Sequence, residues 1–181
     1  MSNRSVFRIT LSGLLIAIGI LIPMFSPIKI LLEPASFTLA SHVTIFIAML
    51  ISPGMAVAVT IGTTLGFLFG GFPLVVVLRA ASHIIFVILG SIYARKHPDL
   101  YMSKIKFRVF SLIIALIHAA AEIVVASVFY FTGSMTTAYY QKGFVISILL
   151  LVGLGTVIHS LVDFELANLV MVPLRKSRYL K

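Results

Sequence analysis

The chain has 181 residues, of which 60% are hydrophobic and only 10% charged, with no cysteine and a formal charge of +9. A soluble domain of this length has about 25% charged residues, so a mean hydropathy of +1.15 excludes an ordinary soluble core and implies an integral membrane protein. The missing cysteines exclude disulfides and thiolate metal sites.

The start, MSNRSVFRITLSGLLIAIGILIPM, has the basic and apolar regions of a signal peptide. No A-x-A-like cleavage site follows, and the run is expected to stay as a first helix over Phe7 to Ile22, stopped by Pro23 and Pro27. A partly apolar loop, FSPIKILLEPASFT, comes next. The second helix is expected over Leu39 to Ile51, and the break at Ser52 to Gly54 opens a third that ends near GGFP. The fourth is expected over Leu74 to Ala94, the fifth over Phe107 to Phe131 and the sixth over Phe144 to Val172. The expected fold is therefore an all-α integral membrane protein, one domain over residues 1–181 with six transmembrane helices.

Arg4, Arg8, Arg95, Lys96, Lys104, Lys106, Arg108, Arg175, Lys176, Arg178 and Lys181 make eleven of the fourteen basic residues. Six crossings put all of them on one side, which the positive-inside rule makes cytoplasmic, together with both termini. The basic balance is thus explained by orientation, and no nucleic-acid partner is expected. Small residues recur at spacing four, as Gly13 and Ala17 in the first helix and Gly62, Gly66 and Gly70 in the third. Such spacing lets helix backbones approach closely; internal packing is expected for the third helix, and a contact with another protein is as good a reading for the first.

Polar residues inside the apolar runs carry the chemistry. Arg79 and His83, His118 and Glu122, and His159 and Asp163 are three i, i+4 pairs on three consecutive helices, and His42 lies near the outer end of the second. Each pair occupies one helix face, and lipid-facing placement is expensive, so these faces are expected to converge on a cavity. Mutual hydrogen bonding between helices is the plainer reading of any single histidine. Arg79 has no acid on its own helix, and by this topology Glu122 and Asp163 lie deeper. An anionic ligand arriving from outside is therefore expected to supply its counter-charge. Glu165 and Asn168 sit towards the cytoplasmic end and are assigned no role in binding.

His159, Asp163 and Glu165 in HSLVDFEL have ligand chemistry, but helical spacing turns Glu165 away, and no metal is expected. The chain contains neither a G-x-S-x-G elbow nor an H-E-x-x-H pair, and an enzyme is not expected. It has no Walker A loop, so energy for active transport must come from a partner or an ion gradient.

SGLLIAIGILIP and LISPGMAVAVTIGTTLGFLFGG, together with the size and topology, resemble a substrate-binding S component of an energy-coupling factor (ECF) vitamin transporter. EPASFTLASHVTIFIAMLISP and GGFPLVVVLRAASH are most similar to the niacin-specific group. The resemblance implies a subunit in the cell membrane that binds a vitamin from outside beneath its first outer loop. It also implies partners, a transmembrane coupling subunit facing Gly13 and Ala17 and two cytoplasmic ATPases that use ATP, and no cofactor bound by this chain. Arg79, His83 and the outward part of the sixth helix match the family's site placement, with His118 and Glu122 set deeper. For nicotinate, Arg79 would take the carboxylate and a histidine the ring nitrogen, with Phe37, Phe72, Tyr139 and Tyr140 as candidate walls. As a rule, aromatic residues at this depth anchor the interface. The alternatives are an S component for another vitamin such as cobalamin, and a self-sufficient proton-coupled carrier using His118–Glu122 and His159–Asp163. A lipid-embedded assembly factor would leave Arg79 without a reason.

Overall fold

A computed structural model describes residues 3–32 and 35–175. Glu33, Lys176, Arg178 and Lys181 lie outside the described residues. The first helix, α1, runs over Asn3–Phe25 and passes through Pro23. The expected stop at Pro23 is thus corrected. Proline loses its N–H bond and crowds the carbonyl four residues back, but the helix ends two residues later, so only its last turn bears that cost.

The loop expected after α1 contains an antiparallel hairpin, β1 (Lys29–Leu32) and β2 (Ala35–Thr38), with Lys29 opposite Thr38 and Leu32 opposite Ala35. Leu39 N–H donates to the Ile28 carbonyl at 3.1 Å and closes its base. Ala40 then takes a left-handed φ of 67°. That turn explains why α2 (Val43–Ile51) starts later than the apolar pattern suggests.

Ser52 separates α2 from α3 (Pro53–Phe69). Its extended backbone breaks the helix, its hydroxyl accepts the Met55 N–H, and Pro53 occupies the first helical position, where a missing N–H is harmless. Gly62 and Gly66 lie against the side chains of Ile16 and Ile20, so in α3 the small residues serve internal packing. Gly13 and Ala17 are on an exposed face of α1, and a Cβ on Gly13 would meet nothing within 4 Å.

Next come α4 (Leu74–Lys96), a 3-10 turn (Pro98–Met102) and α5 (Lys104–Phe131), whose first turn is capped by the Ser103 hydroxyl. A short α6 (Thr137–Phe144) is kinked at Gly143, which has φ 74° and ψ 165°. From there a π-helical segment (Val145–Leu154) runs into α7 (Gly155–Arg175).

The protein is therefore almost entirely helical. Among the described residues, four helical stretches are long and apolar enough to cross a membrane: Ser5–Phe25, Leu74–Lys96, Lys104–Phe131 and Thr137–Arg175. Pro53–Phe69 is a shorter apolar helix. With nine residues at 1.5 Å each, α2 is about 13 Å long. Leucines, isoleucines and valines such as Leu14, Ile61, Ile85 and Leu116 face outward, as they do where the surrounding solvent is lipid.

The centre is aromatic. Phe46, Phe86 and Phe164 are fully buried, with ring centroids 5.5 Å apart for Phe46–Phe86 and 4.9 Å for Phe46–Phe164. The histidines rest on this layer: His83 and His118 lie 5.5 Å and 4.6 Å from Phe86, and His42 lies 6.4 Å from Phe46.

Candidate functional site

The site begins with the register of α4 against α5. Arg79 lies in the second turn of α4, and Glu122 comes level with it from α5. Arg79 Nη2 donates to Glu122 Oε2 at 2.8 Å, with the carboxylate nearly excluded from solvent. This corrects the expectation that Arg79 lacks an acidic partner, and with it the expectation that an anionic ligand supplies its counter-charge: Glu122 does. Depth estimated along each helix separately misses the relative shift of the two, which brings the groups together. The Thr156 hydroxyl donates to the same oxygen at 2.6 Å. His83 Nε2 lies 3.2 Å from Glu122 Oε1 and His118 Nε2 3.5 Å from it.

A second group forms where α2 meets α7. Asp163 is fully buried and accepts two backbone N–H bonds, from Ala40 to Oδ1 at 2.7 Å and from His42 to Oδ2 at 2.8 Å. The rings of His42 and His159 both approach its Oδ2 at 3.3 Å. His42 joins the two groups, its ring centroid lying 4.9 Å from His83, 4.8 Å from His118 and 4.9 Å from His159. All seven polar residues singled out in the sequence thus meet in one network.

This network floors a cavity of about 330 Å³. Arg79, His83, His42, Glu122 and His159 line it, whereas His118 and Asp163 stand behind the wall. Phe37 on β2 and Phe72 beside the α3–α4 turn supply aromatic walls, and Phe67 joins them. Tyr139 and Tyr140 are not among the lining residues; the Tyr140 hydroxyl instead donates to the Tyr130 carbonyl at 3.1 Å. Two buried polar atoms of lining residues, Arg79 Nε and His83 Nδ1, have no hydrogen-bond partner among the described residues. Leaving such a group unpaired costs about 1–3 kcal/mol, and both residues line a space a ligand can enter.

Thr156 and Ser41 escaped the sequence reading. Thr156 had a usable signal, since it precedes His159 by three residues and Asp163 by seven, on the same helical face. Ser41 had none: the turn at Ala40 places it. Glu165 is exposed, as its spacing suggests.

The chain is 39% identical over 165 residues to the niacin transporter NiaX of Lactococcus lactis subsp. cremoris, a match covering 91% of this chain and 73% of that protein. It belongs to the NiaX family. The resemblance to niacin-specific S components, carried by the segments around the Ser52 break and Arg79, is thereby borne out. No family model matches the chain, and no solved structure matches it. That relative is a transporter, in keeping with a many-helix apolar chain and with a site that has paired charges and an accessible cavity.

Proposed function

We propose that this protein is the membrane-embedded substrate-binding subunit of an ECF-type ABC importer, and that its cavity captures nicotinate from outside the cell. The observation that carries the reading is Arg79, whose side chain keeps 17% exposure beside its ion pair, on the wall of one small aromatic-walled cavity that His83 also lines. Glu122 holds Arg79 through Nη2, and the part of the guanidinium that stays exposed is the donor for a carboxylate. Nicotinate brings such a carboxylate on a flat ring that suits Phe37 and Phe72. The volume lies at the small end of the roughly 300–1,000 Å³ usual for ligand pockets, which favours a small vitamin over cobalamin.

Arg79 stands seventeen residues before the basic end of α4, roughly 25 Å at 1.5 Å per residue. With Arg95, Lys96 and Lys104 cytoplasmic, the cavity opens outward beneath the hairpin. The chain then makes six passes with both termini inside. In this reading α2 starts at the cavity floor, and its short length completes the inward passage. The exposed Gly13–Ala17 face of α1 receives the coupling subunit, and two cytoplasmic ATPases supply the energy from ATP. In this reading the chain acts in the cell membrane as a transport subunit, without catalysis.

The test is equilibrium binding to the purified protein in detergent. Nicotinate is expected to bind and nicotinamide, its uncharged analogue, to bind far more weakly; equal affinities would remove the carboxylate role of Arg79. Uptake in a host lacking the coupling module is expected to stop. Continued uptake would point instead to a self-sufficient carrier.

A further inference from the structure

Four atoms of metal-ligand type meet at the cavity floor. His42 Nδ1 lies 3.0 Å from His159 Nε2 and 3.3 Å from Asp163 Oδ2, and His159 Nε2 lies 3.3 Å from that same oxygen. Ser41 Oγ is 3.1 Å from His42 Nδ1 and 3.0 Å from His159 Nε2. These are five close contacts among four atoms, which with Asp163 ionised together carry at most three hydrogens: one on each nitrogen and one on the hydroxyl. At least two contacts therefore have no hydrogen to make them attractive. A cation among the atoms would turn every one of them favourable.

The spacing suits such an ion. Metal–nitrogen bonds of about 2.0–2.1 Å in a tetrahedron imply ligand-to-ligand edges of about 3.3 Å. Two imidazoles and a carboxylate are a donor set for divalent transition metals. Asp163 is already oriented by the Ala40 and His42 N–H groups, as carboxylate ligands usually are. The left-handed φ of Ala40 is a strained conformation for a residue with a Cβ, and the two donors that hold Asp163 belong to Ala40 itself and to His42 two residues on.

Charge points the same way. Arg79 and Glu122 offset each other, and the ion pairs of Asp163 among the described residues are both with histidines. With those rings neutral, this set of charges sums to −1, a poor host for an anion. A divalent ion raises it to +1, and one bound carboxylate then makes it neutral. The neighbouring cluster of His42, His83, His118 and Glu122 also has ligand spacing. There, however, the carboxylate already serves Arg79, whose positive charge opposes a second cation.

We propose that His42, His159 and Asp163 bind one divalent transition-metal ion at the cavity floor, with a coordination position open to an anionic ligand. The metal site stands without the nicotinate reading; the anion's place at it rests on that reading. Ser41 Oγ lies at the remaining corner, where a neutral hydroxyl is a weak ligand that the ring nitrogen of an incoming nicotinate displaces while its carboxylate stays with Arg79.

The test uses the whole chain in detergent, stripped with a chelator, then titrated with zinc by calorimetry and with cobalt(II) by visible absorption. One ion per chain is expected, with the intense bands of a low-coordinate cobalt site. His159→Ala is expected to weaken zinc binding at least about 100-fold; His159→Gln is the second variant should the first unfold. Thermal unfolding of the metal-free proteins verifies that each is folded. Folded wild-type protein that shows no saturable zinc binding would overturn the proposal, and so would zinc binding unchanged in both variants. Nicotinate is expected to bind more tightly with zinc than without. Equal affinity in zinc-loaded protein would overturn the open position while leaving the metal site. Zinc binding without any nicotinate binding would count against the vitamin alone.

Discussion

Replacing Glu122 by glutamine separates the two jobs assigned to Arg79. Glu122 is 3% exposed, and its two oxygens lie within 2.6 to 3.2 Å of the Thr156 hydroxyl, Arg79 Nη2 and His83 Nε2. Glutamine keeps the size, but it turns an NH₂ towards one of these groups and leaves the guanidinium unbalanced. Breaking a buried pair on one side costs about 3–5 kcal/mol. At about 2–4 °C per kcal/mol for a chain of this length, the melting temperature falls by roughly 6–20 °C. Nicotinate should restore part of that loss, because its carboxylate then meets a guanidinium without a competitor. Each tenfold gain in affinity adds about 1.4 kcal/mol of stabilisation at saturating ligand. Thermal unfolding in detergent with and without nicotinate is the assay, and the shift is expected to be larger in Glu122→Gln than in wild type. The double variant Arg79→Met/Glu122→Gln removes both charges, and it should regain most of the stability while losing nicotinate. A Glu122→Gln protein as stable as wild type would show that the ion pair contributes nothing. An unchanged nicotinate shift would show that Arg79 does not meet the carboxylate.

Other substitutions probe the frame around the site. Phe37 is buried, lines the cavity and packs 5.5 Å from the His159 ring. Losing about 1.5–3 kcal/mol of aromatic burial in Phe37→Ala should raise the nicotinate dissociation rate roughly ten- to a hundredfold, measured by stopped-flow. Gly66→Leu must displace Ile20 and is expected to cost about 1–3 kcal/mol of stability. Gly13→Leu enters open space, so melting in detergent should not change, while vitamin uptake by cells carrying the coupling module should drop; loss in both assays would place Gly13 in the internal packing instead. Gly143 has φ 74°, and Gly143→Ala should cost about 1–2 kcal/mol, seen as a lower melting temperature.

What the sequence made legible follows from how local each cause is. Apolar runs, Pro53 after Ser52, and the i, i+4 polar pairs depend on neighbours within a few residues, and the helices and their polar faces were readable from them. The hairpin was not, because KILL and ASFT are too short and too mixed to show a period of two. Nor was the π-helical stretch over Val145–Leu154, since ILLLVGL is equally compatible with an α-helix. The partner of Arg79 was misread for a different reason. Its distance from the helix start was available, but the offset between α4 and α5 depends on how their ridges pack, and no residue near Arg79 records it.

The same limit governed the reading of His42, His159 and Asp163. A metal was set aside on the spacing within HSLVDFEL, where Glu165 turns outward. The side chain that stands beside the pair in space is His42, 117 residues before His159, and it reaches them because Ala40 bends the chain between the hairpin and α2. The residue at that bend costs backbone energy, and the two N–H groups that it orients both serve Asp163. A hairpin that merely capped the cavity would not require a strained alanine at its exit. A hairpin whose exit is fixed to the cavity floor does, because the turn at Ala40 brings its own N–H and that of His42 onto the Asp163 carboxylate and sets Ser41 against His159.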